Sequence, residues 1–77
     1  MTNLEKYDGA FRTALGVTEN LPALKYGGVA AWDSAGHMIL IAEIEDAFKI
    51  SLRVADIMNF DSYERGRAIL KNYGVIL

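Results

Sequence analysis

Apolar residues recur at helical spacing in the first part of the chain. The series is Leu4, Tyr7, Ala10 or Phe11, and Ala14 or Leu15. Because an α-helix turns once in about 3.6 residues, this spacing places the series on one face and predicts an amphipathic first helix from about Asn3. Thr2 or Asn3 can cap the start of this helix, and Gly16 can end it.

A second helix is predicted from Ser34 to Phe48. Asp33 is the expected N-cap, because an aspartate oxygen can accept hydrogen bonds from the free N–H groups of a first turn. The predicted core stripe comprises His37, Leu40, Ile41, Ile44, Ala47 and Phe48. The opposite side is also apolar and carries Ala35, Met38, Ile39 and Ala42 beside Glu45 and Asp46. An apolar face turned towards water favours a docking surface.

The segment between these helices, from Val17 to Trp32, shows no sustained periodicity. It contains the only proline, Pro22, and the pair Gly27 and Gly28, which are typical of turns. We therefore predict a long loop, which in so short a chain indicates either a function or a packed surface excursion. The side chains expected to tie this loop to the core are Leu21, Leu24, Tyr26 and the large indole of Trp32.

Two more helices are predicted in the last third of the chain. A short one covers Val54 to Met58, and a longer one runs to Tyr73, with Gly74 as a left-handed stop. The run Asp61–Glu64 matches a capping box in which Asp61 is the cap. The expected inward positions of the last helix are Gly66, Ile69, Leu70 and Tyr73. No strand pattern is present, so residues 1–77 are predicted to form one all-α domain, a four-helix bundle with three longer helices and one short helix.

Composition narrows the possible functions. A chain of 77 residues with 52% hydrophobic residues is expected to form one folded domain. Eight basic residues are scattered among ten acidic ones, for a net charge of −2, which argues against nucleic-acid binding. No apolar run is long enough to span a bilayer, so we expect a cytoplasmic protein that does not bind membranes. We also expect it to be a monomer. The chain has no cysteine, which excludes disulfides and thiolate metal ligands.

The sequence offers little for catalysis. His37 follows Ser34 by one helical turn, but no third group is evident to orient the imidazole, so a histidine at the core edge is favoured over a catalytic base. Glu43 and Glu45 are two residues apart on a helix and point in different directions. A single histidine among scattered acids predicts no metal site. We therefore expect a protein without catalytic residues.

Residues 32–48, WDSAGHMILIAEIEDAF, resemble the signature of the acyl carrier protein and phosphopantetheine-attachment family. That signature is Asp-Ser-Leu followed by an apolar helix that ends in acidic residues and Phe. The likeness extends to the order of helices and loop along the whole chain. Trp32 before the Asp-Ser pair, and His37 and Met38 after it, are similar to stand-alone carriers that serve specialised pathways.

The resemblance implies that Ser34, with Asp33 as its motif neighbour, receives phosphopantetheine from coenzyme A. Acyl or aminoacyl groups would then travel as thioesters between enzymes of a fatty-acid-like, polyketide-like or other specialised pathway. The implied partners are a phosphopantetheinyl transferase, a loading enzyme, and downstream transferases or synthases. The family also sheathes acyl chains between its helices, at a place that the spacing does not locate. A phosphodiester suits a helix N-terminus, although the carboxylate of Asp33 opposes it.

The resemblance also implies a partner-binding surface. Its apolar centre would be Ala35, Met38 and Ala42, and its acidic residues would be Glu45, Asp46 and Asp56. Two positions depart from the family pattern. Ala35 stands where Leu is usual, and Ile39 stands where an acid is frequent. If Ala35 weakens docking, restoring Leu should raise the modification rate.

Three alternatives remain open from sequence. An unmodified interaction module would use the apolar face of the second helix and would keep its function when Ser34 is changed to Ala. A small helical DNA binder predicts salt-sensitive binding, which the charge balance disfavours. An esterase would require turnover that depends on His37.

Overall fold

The computed structural model describes residues 1–77, which form four α-helices and no β-strand. The helices are α1 (Asn3–Leu15), α2 (Ser34–Phe48), α3 (Val54–Asn59) and α4 (Tyr63–Lys71). The predicted all-α class and the number of helices are confirmed. No helix has both the length and the apolar character needed to cross a bilayer.

The predicted limits of α1 are confirmed by its caps. Thr2 Oγ1 accepts from Glu5 N at 3.1 Å, and the Glu5 carboxylate accepts from Thr2 N at 2.8 Å, which is a complete capping box. Gly16 ends the helix with φ +69°, in the left-handed region where a Cβ is costly. Of the predicted apolar series, only Leu4 is exposed.

Helix α2 begins and ends where predicted, and it packs against α1. Leu40, Ile41 and Ile44 are buried, whereas the other three residues of the predicted core stripe, His37, Ala47 and Phe48, are half-buried. The four apolar residues of the opposite face are all exposed.

The start of α4 differs from the prediction, because its N-cap is Ser62 rather than Asp61. Ser62 Oγ accepts from Arg65 N at 2.9 Å. An isolated antiparallel bridge between Lys25 and Ser62 holds Ser62 in an extended conformation, which suits an N-cap. Asp61 instead accepts from Tyr26 N through its backbone carbonyl at 2.8 Å. Contact with the distant loop therefore decides which of two adjacent polar residues caps the helix.

The end of α4 comes two residues earlier than predicted. Asn72 N and Tyr73 N bond to carbonyls three residues back, which tightens the last turn after Lys71. Gly74 has φ +80° and is the left-handed stop that was predicted. Val75 N then donates to Leu70 O at 3.1 Å and closes the turn.

The long loop is more ordered than its lack of periodicity indicates. It contains a 3₁₀ turn over Leu21–Ala23, and Leu21, Leu24 and Trp32 are buried as predicted. Tyr26 is not a core residue, since 47% of it is exposed. It lies at the rim, with its ring against Trp32 and His37.

Five aromatic side chains form the centre of the protein, which we call the aromatic core: Tyr7, Phe11, Trp32, Phe60 and Tyr63. Each is at most 2% exposed, and Phe11 has its ring within 6.4 Å of the other four ring centres. The two tyrosine hydroxyls are satisfied within the fold, because Tyr7 donates to the carbonyl of Tyr63 and Tyr63 donates to the carboxylate of Asp8. Phe48 and Tyr73, which were both expected to face inward, are half-buried at the boundary of the core.

Candidate functional site

Ser34 is the first residue of α2, and it is exposed. Asp33 caps the helix by accepting from Gly36 N at 2.8 Å, and its carbonyl accepts from His37 N at 2.8 Å. The backbone N–H groups of Ser34 and Ala35 have no acceptor in the chain. A group attached to Ser34 Oγ would therefore start at the positive end of the helix, close to two free donors.

Gly36 fixes the approach of the loop to this helix start. A Cβ at this position would lie only 1.8 Å from the backbone carbonyl oxygen of Ala31. The loop thus packs directly on the first turn of α2, one residue away from Ala35. The sequence pattern did not single out this glycine, although a glycine inside a helical stretch is a signal of close packing.

His37 uses both ring nitrogens in contacts that we call the His37 bridge, which joins Trp32, His37 and Ile57. The indole Nε1–H of Trp32 can only donate, so Nδ1 of His37 accepts from it, at 3.0 Å. The ring proton then lies on Nε2, which donates to the carbonyl of Ile57 at 2.7 Å. The half-buried position agrees with the predicted core edge, and neither nitrogen is free to take a proton from Ser34.

Beside Ser34 lies an open, mainly apolar groove of about 450 Å³ between the start of α2, α3 and the loop. We call it the Ser34 groove. It is lined by Tyr26, Ser34, His37, Met38, Ile57, Met58, Phe60 and Asp61. The sequence placed Ser34 beside an apolar helix face, but it gave no sign that Tyr26 and Met58 would complete a groove. Long-range packing of the loop and α3 produces that arrangement.

The exposed apolar residues continue from the groove along α2. Met38 and Ile39 are 55% and 53% exposed, and Ala35 and Ala42 are exposed on the same helix. Met58 on α3 is 76% exposed. The predicted apolar partner residues are thus on the surface, and Met38 adjoins Ser34 in the groove.

The three candidate acidic residues have different environments. The Glu45 carboxylate accepts from Leu52 N at 2.8 Å and so holds the segment that leads into α3. Asp56 accepts from the Tyr73 hydroxyl at 2.5 Å and also faces Arg53 at 3.7 Å. Only Asp46 projects fully into water, with 81% of its side chain exposed and one loose ion pair to Lys49.

No three His, Asp or Glu side chains converge in a way that could hold a metal ion. The comparisons with known proteins add no assignment. No protein-family model matches the chain, and no curated protein or solved structure is significantly similar to it.

Proposed function

We propose that the chain is a carrier protein of the acyl carrier type, in which Ser34 bears phosphopantetheine and holds acyl or aminoacyl groups as thioesters. The observation that carries this proposal is the placement of Ser34. It is exposed on the first turn of a capped helix and opens onto an apolar groove. The resemblance of residues 32–48 to carrier proteins points to the same serine.

The residues around Ser34 are suited to a phosphodiester. The free N–H groups of Ser34 and Ala35 can donate to phosphate oxygens, and the helix dipole favours a negative charge there. Asp33 adds a like charge nearby, but its carboxylate already accepts from Gly36 N, and this keeps one oxygen directed at the helix. The attraction by the N–H groups and the helix dipole, together with the repulsion by Asp33, favours a phosphate that projects outwards from Ser34.

Ser34 contributes a single step of chemistry. Its Oγ forms the bond to phosphorus as the nucleotide part of coenzyme A leaves, and the hydroxyl proton passes to a base of the transferase. His37 is not placed to take that proton, because both of its ring nitrogens are engaged in other hydrogen bonds. The attached group supplies a terminal thiol for thioester formation. Transfer of the cargo is the work of partner enzymes.

The surface around α2 fits recognition by such partners. Met38, Ala35 and Ala42 would supply apolar contact, and Asp46 would supply charge for steering. Glu45 and Asp56 hold the fold together, so their contribution to docking would be indirect. The proposed partners are a transferase, a loading enzyme and downstream transferases or synthases, all met in the cytoplasm by a monomeric carrier.

Intact mass spectrometry tests the proposal. The folded protein is incubated with coenzyme A and a broad-specificity phosphopantetheinyl transferase, beside Ser34→Ala and the matched variant Ser51→Ala. Ser51 is also exposed but lies in the segment before α3. Wild type and Ser51→Ala should gain one phosphopantetheine, and Ser34→Ala should gain none. No gain in wild type with several transferases would overturn the proposal.

The unmodified interaction module is the competing function, supported by the exposed apolar face of α2. It predicts that Ser34→Ala retains every activity of the protein. Carrier function predicts complete loss, because the thiol has no other attachment point.

A further inference from the structure

Helix α3 has no buried residue, and polar contacts at both ends hold it in place. At its beginning, the Tyr73 hydroxyl accepts from Arg53 N at 2.9 Å and donates to Asp56. Near its end, the His37 bridge ties the carbonyl of Ile57 to α2. The position of α3 therefore depends on the half-buried Ile57, which packs against the core, and on a few hydrogen bonds. One of these hydrogen bonds comes from a residue of the Ser34 groove.

The interior behind α3 is filled. Trp32 and Phe60 are fully buried with their rings against His37, which bonds to α3, and each of the four concavities of the protein opens to solvent. Rings and branched chains that pack this closely leave no space for an alkyl chain unless α3 moves away. Such a movement would break the bond from His37 to Ile57.

We infer that the His37 bridge keeps α3 closed against α2, so that a group carried on Ser34 lies in the open Ser34 groove and the protein carries short acyl or aminoacyl groups. This inference rests on the proposed function and assigns its cargo class. His37 would be a specificity-determining residue that acts by positioning α3. It would not touch the reacting atoms.

The groove itself is suited to small cargo. Tyr26, Met38 and Met58 offer an aromatic ring and two flexible thioether chains around Ser34, and these adapt to groups of different shape. The groove is open along its length, so a long chain placed there would keep much of its surface in water. A short group loses little by remaining outside the bundle.

The test uses acetyl, octanoyl and dodecanoyl forms, prepared with the matching acyl-coenzyme A and a broad-specificity transferase. Intact mass first confirms that each form is loaded on Ser34. The thermal midpoint and the fluorescence of Trp32, the only tryptophan, are then compared between forms. A chain that enters the bundle passes this indole and stabilises the fold, whereas a chain outside does neither.

Two variants of His37 separate its two contacts. His37→Asn can keep the acceptor for Trp32 but is too short to reach Ile57. His37→Gln can place an amide N–H near the position of Nε2 and keep the bond to Ile57. Wild type and His37→Gln should show midpoints that agree within about 2 °C for all three chains. His37→Asn should gain about 4 °C or more with dodecanoyl over acetyl.

Each outcome decides between explanations. A midpoint that rises with chain length in wild type, or a chain-length shift of Trp32 emission there, overturns the inference even if His37→Asn does not fold. An absence of chain-length dependence in a folded His37→Asn removes His37 from the role. Failure to load any form overturns the proposed function, and the mass measurement detects that separately.

Discussion

The aromatic core and the Ser34 groove are built in different ways. In the core, rings pack on one another, and every buried polar side-chain atom has a hydrogen-bond partner. In the groove, large apolar side chains such as Met58 face water. The adjoining helix α3 has no fully buried residue and is held by polar contacts and by the half-buried Ile57. The core can therefore specify one structure, while the groove keeps a surface that another molecule can use.

The largest difference between the two regions is expected for truncation of a central ring. Phe11→Ala should lower the free energy of unfolding by about 3–5 kcal/mol, because Phe11 is fully buried among four other aromatic rings. Met58→Ala in the groove should change it by less than about 0.5 kcal/mol. Urea denaturation measures both, and equal losses would contradict the distinction.

A methyl group at Gly36 should have the next largest effect. Gly36→Ala places a Cβ against the carbonyl of Ala31, so we expect a loss of about 1–3 kcal/mol and slower modification of the neighbouring Ser34. Gly9→Ala in α1 is the matched control, because nothing lies within 4 Å of its added Cβ. That variant should gain about 0.5–1 kcal/mol from helix propensity. Similar effects in both variants would show that the close approach at Gly36 is unimportant.

The acidic residues in the last turn of α2 can be distinguished by their effect on stability. Glu45→Ala should cost about 1–2 kcal/mol in chemical denaturation, because Leu52 N loses its charged acceptor at a partly exposed site. Asp46→Ala should cost less than about 0.5 kcal/mol, since its ion pair with Lys49 is exposed. If Asp46→Ala destabilises the protein as much as Glu45→Ala, then the distinction between Glu45, which stabilises the fold, and Asp46, which faces water, is wrong.

Ala35→Leu enlarges an exposed apolar side chain next to Ser34 and should not affect the aromatic core. Ala35 is exposed next to Ser34, so a larger apolar contact should raise the modification rate several-fold and leave the thermal midpoint unchanged within about 2 °C. Initial rates by mass spectrometry measure this effect. An unchanged rate would mean that docking does not use position 35.

Ionisation of the core tyrosines is expected to have the smallest effect on the free energy of unfolding at neutral pH. Burial raises the pKa of Tyr7 and of Tyr63 well above the ordinary value of 10.0. The unfolded chain then loses these protons at lower pH than the folded protein, so their contribution to stability is complete below pH 10 and declines as the pH rises above it. Denaturation curves from pH 8 to pH 11 test this, with Tyr26, which is exposed, as the site of a Tyr26→Phe control. Tyr7→Phe should flatten the decline, and an unchanged decline would contradict the assignment.

Local patterns predicted the helices well. The limits of α1 and α2 and the cap Asp33 follow from spacing and from polar residues at helix starts, and Thr2 is one of the two caps expected for α1. The cap of α4 could not be predicted locally, because the bridge from Lys25 decides between Asp61 and Ser62. Local patterns describe contacts within a helix turn, and this choice depends on residues far apart in sequence.

The site was predictable only in part. Ser34, its exposed position and the apolar face of α2 follow from the sequence. The Ser34 groove does not, because Tyr26 and Met58 reach it through packing of the loop and α3. Glu45 and Asp46 are adjacent in sequence and look equivalent there, yet one accepts a backbone hydrogen bond and the other faces water.

Heteronuclear NMR of the protein before and after phosphopantetheine transfer reports both whether Ser34 is modified and where the attached group lies. We expect complete conversion, with amide shifts concentrated at Ser34 to His37 and in the groove at Tyr26, Ile57 and Met58. The amides of Phe11 and Tyr63 in the aromatic core should be unchanged. Failure to convert, or shifts centred on the core instead of Ser34, would show that Ser34 is not a carrier site.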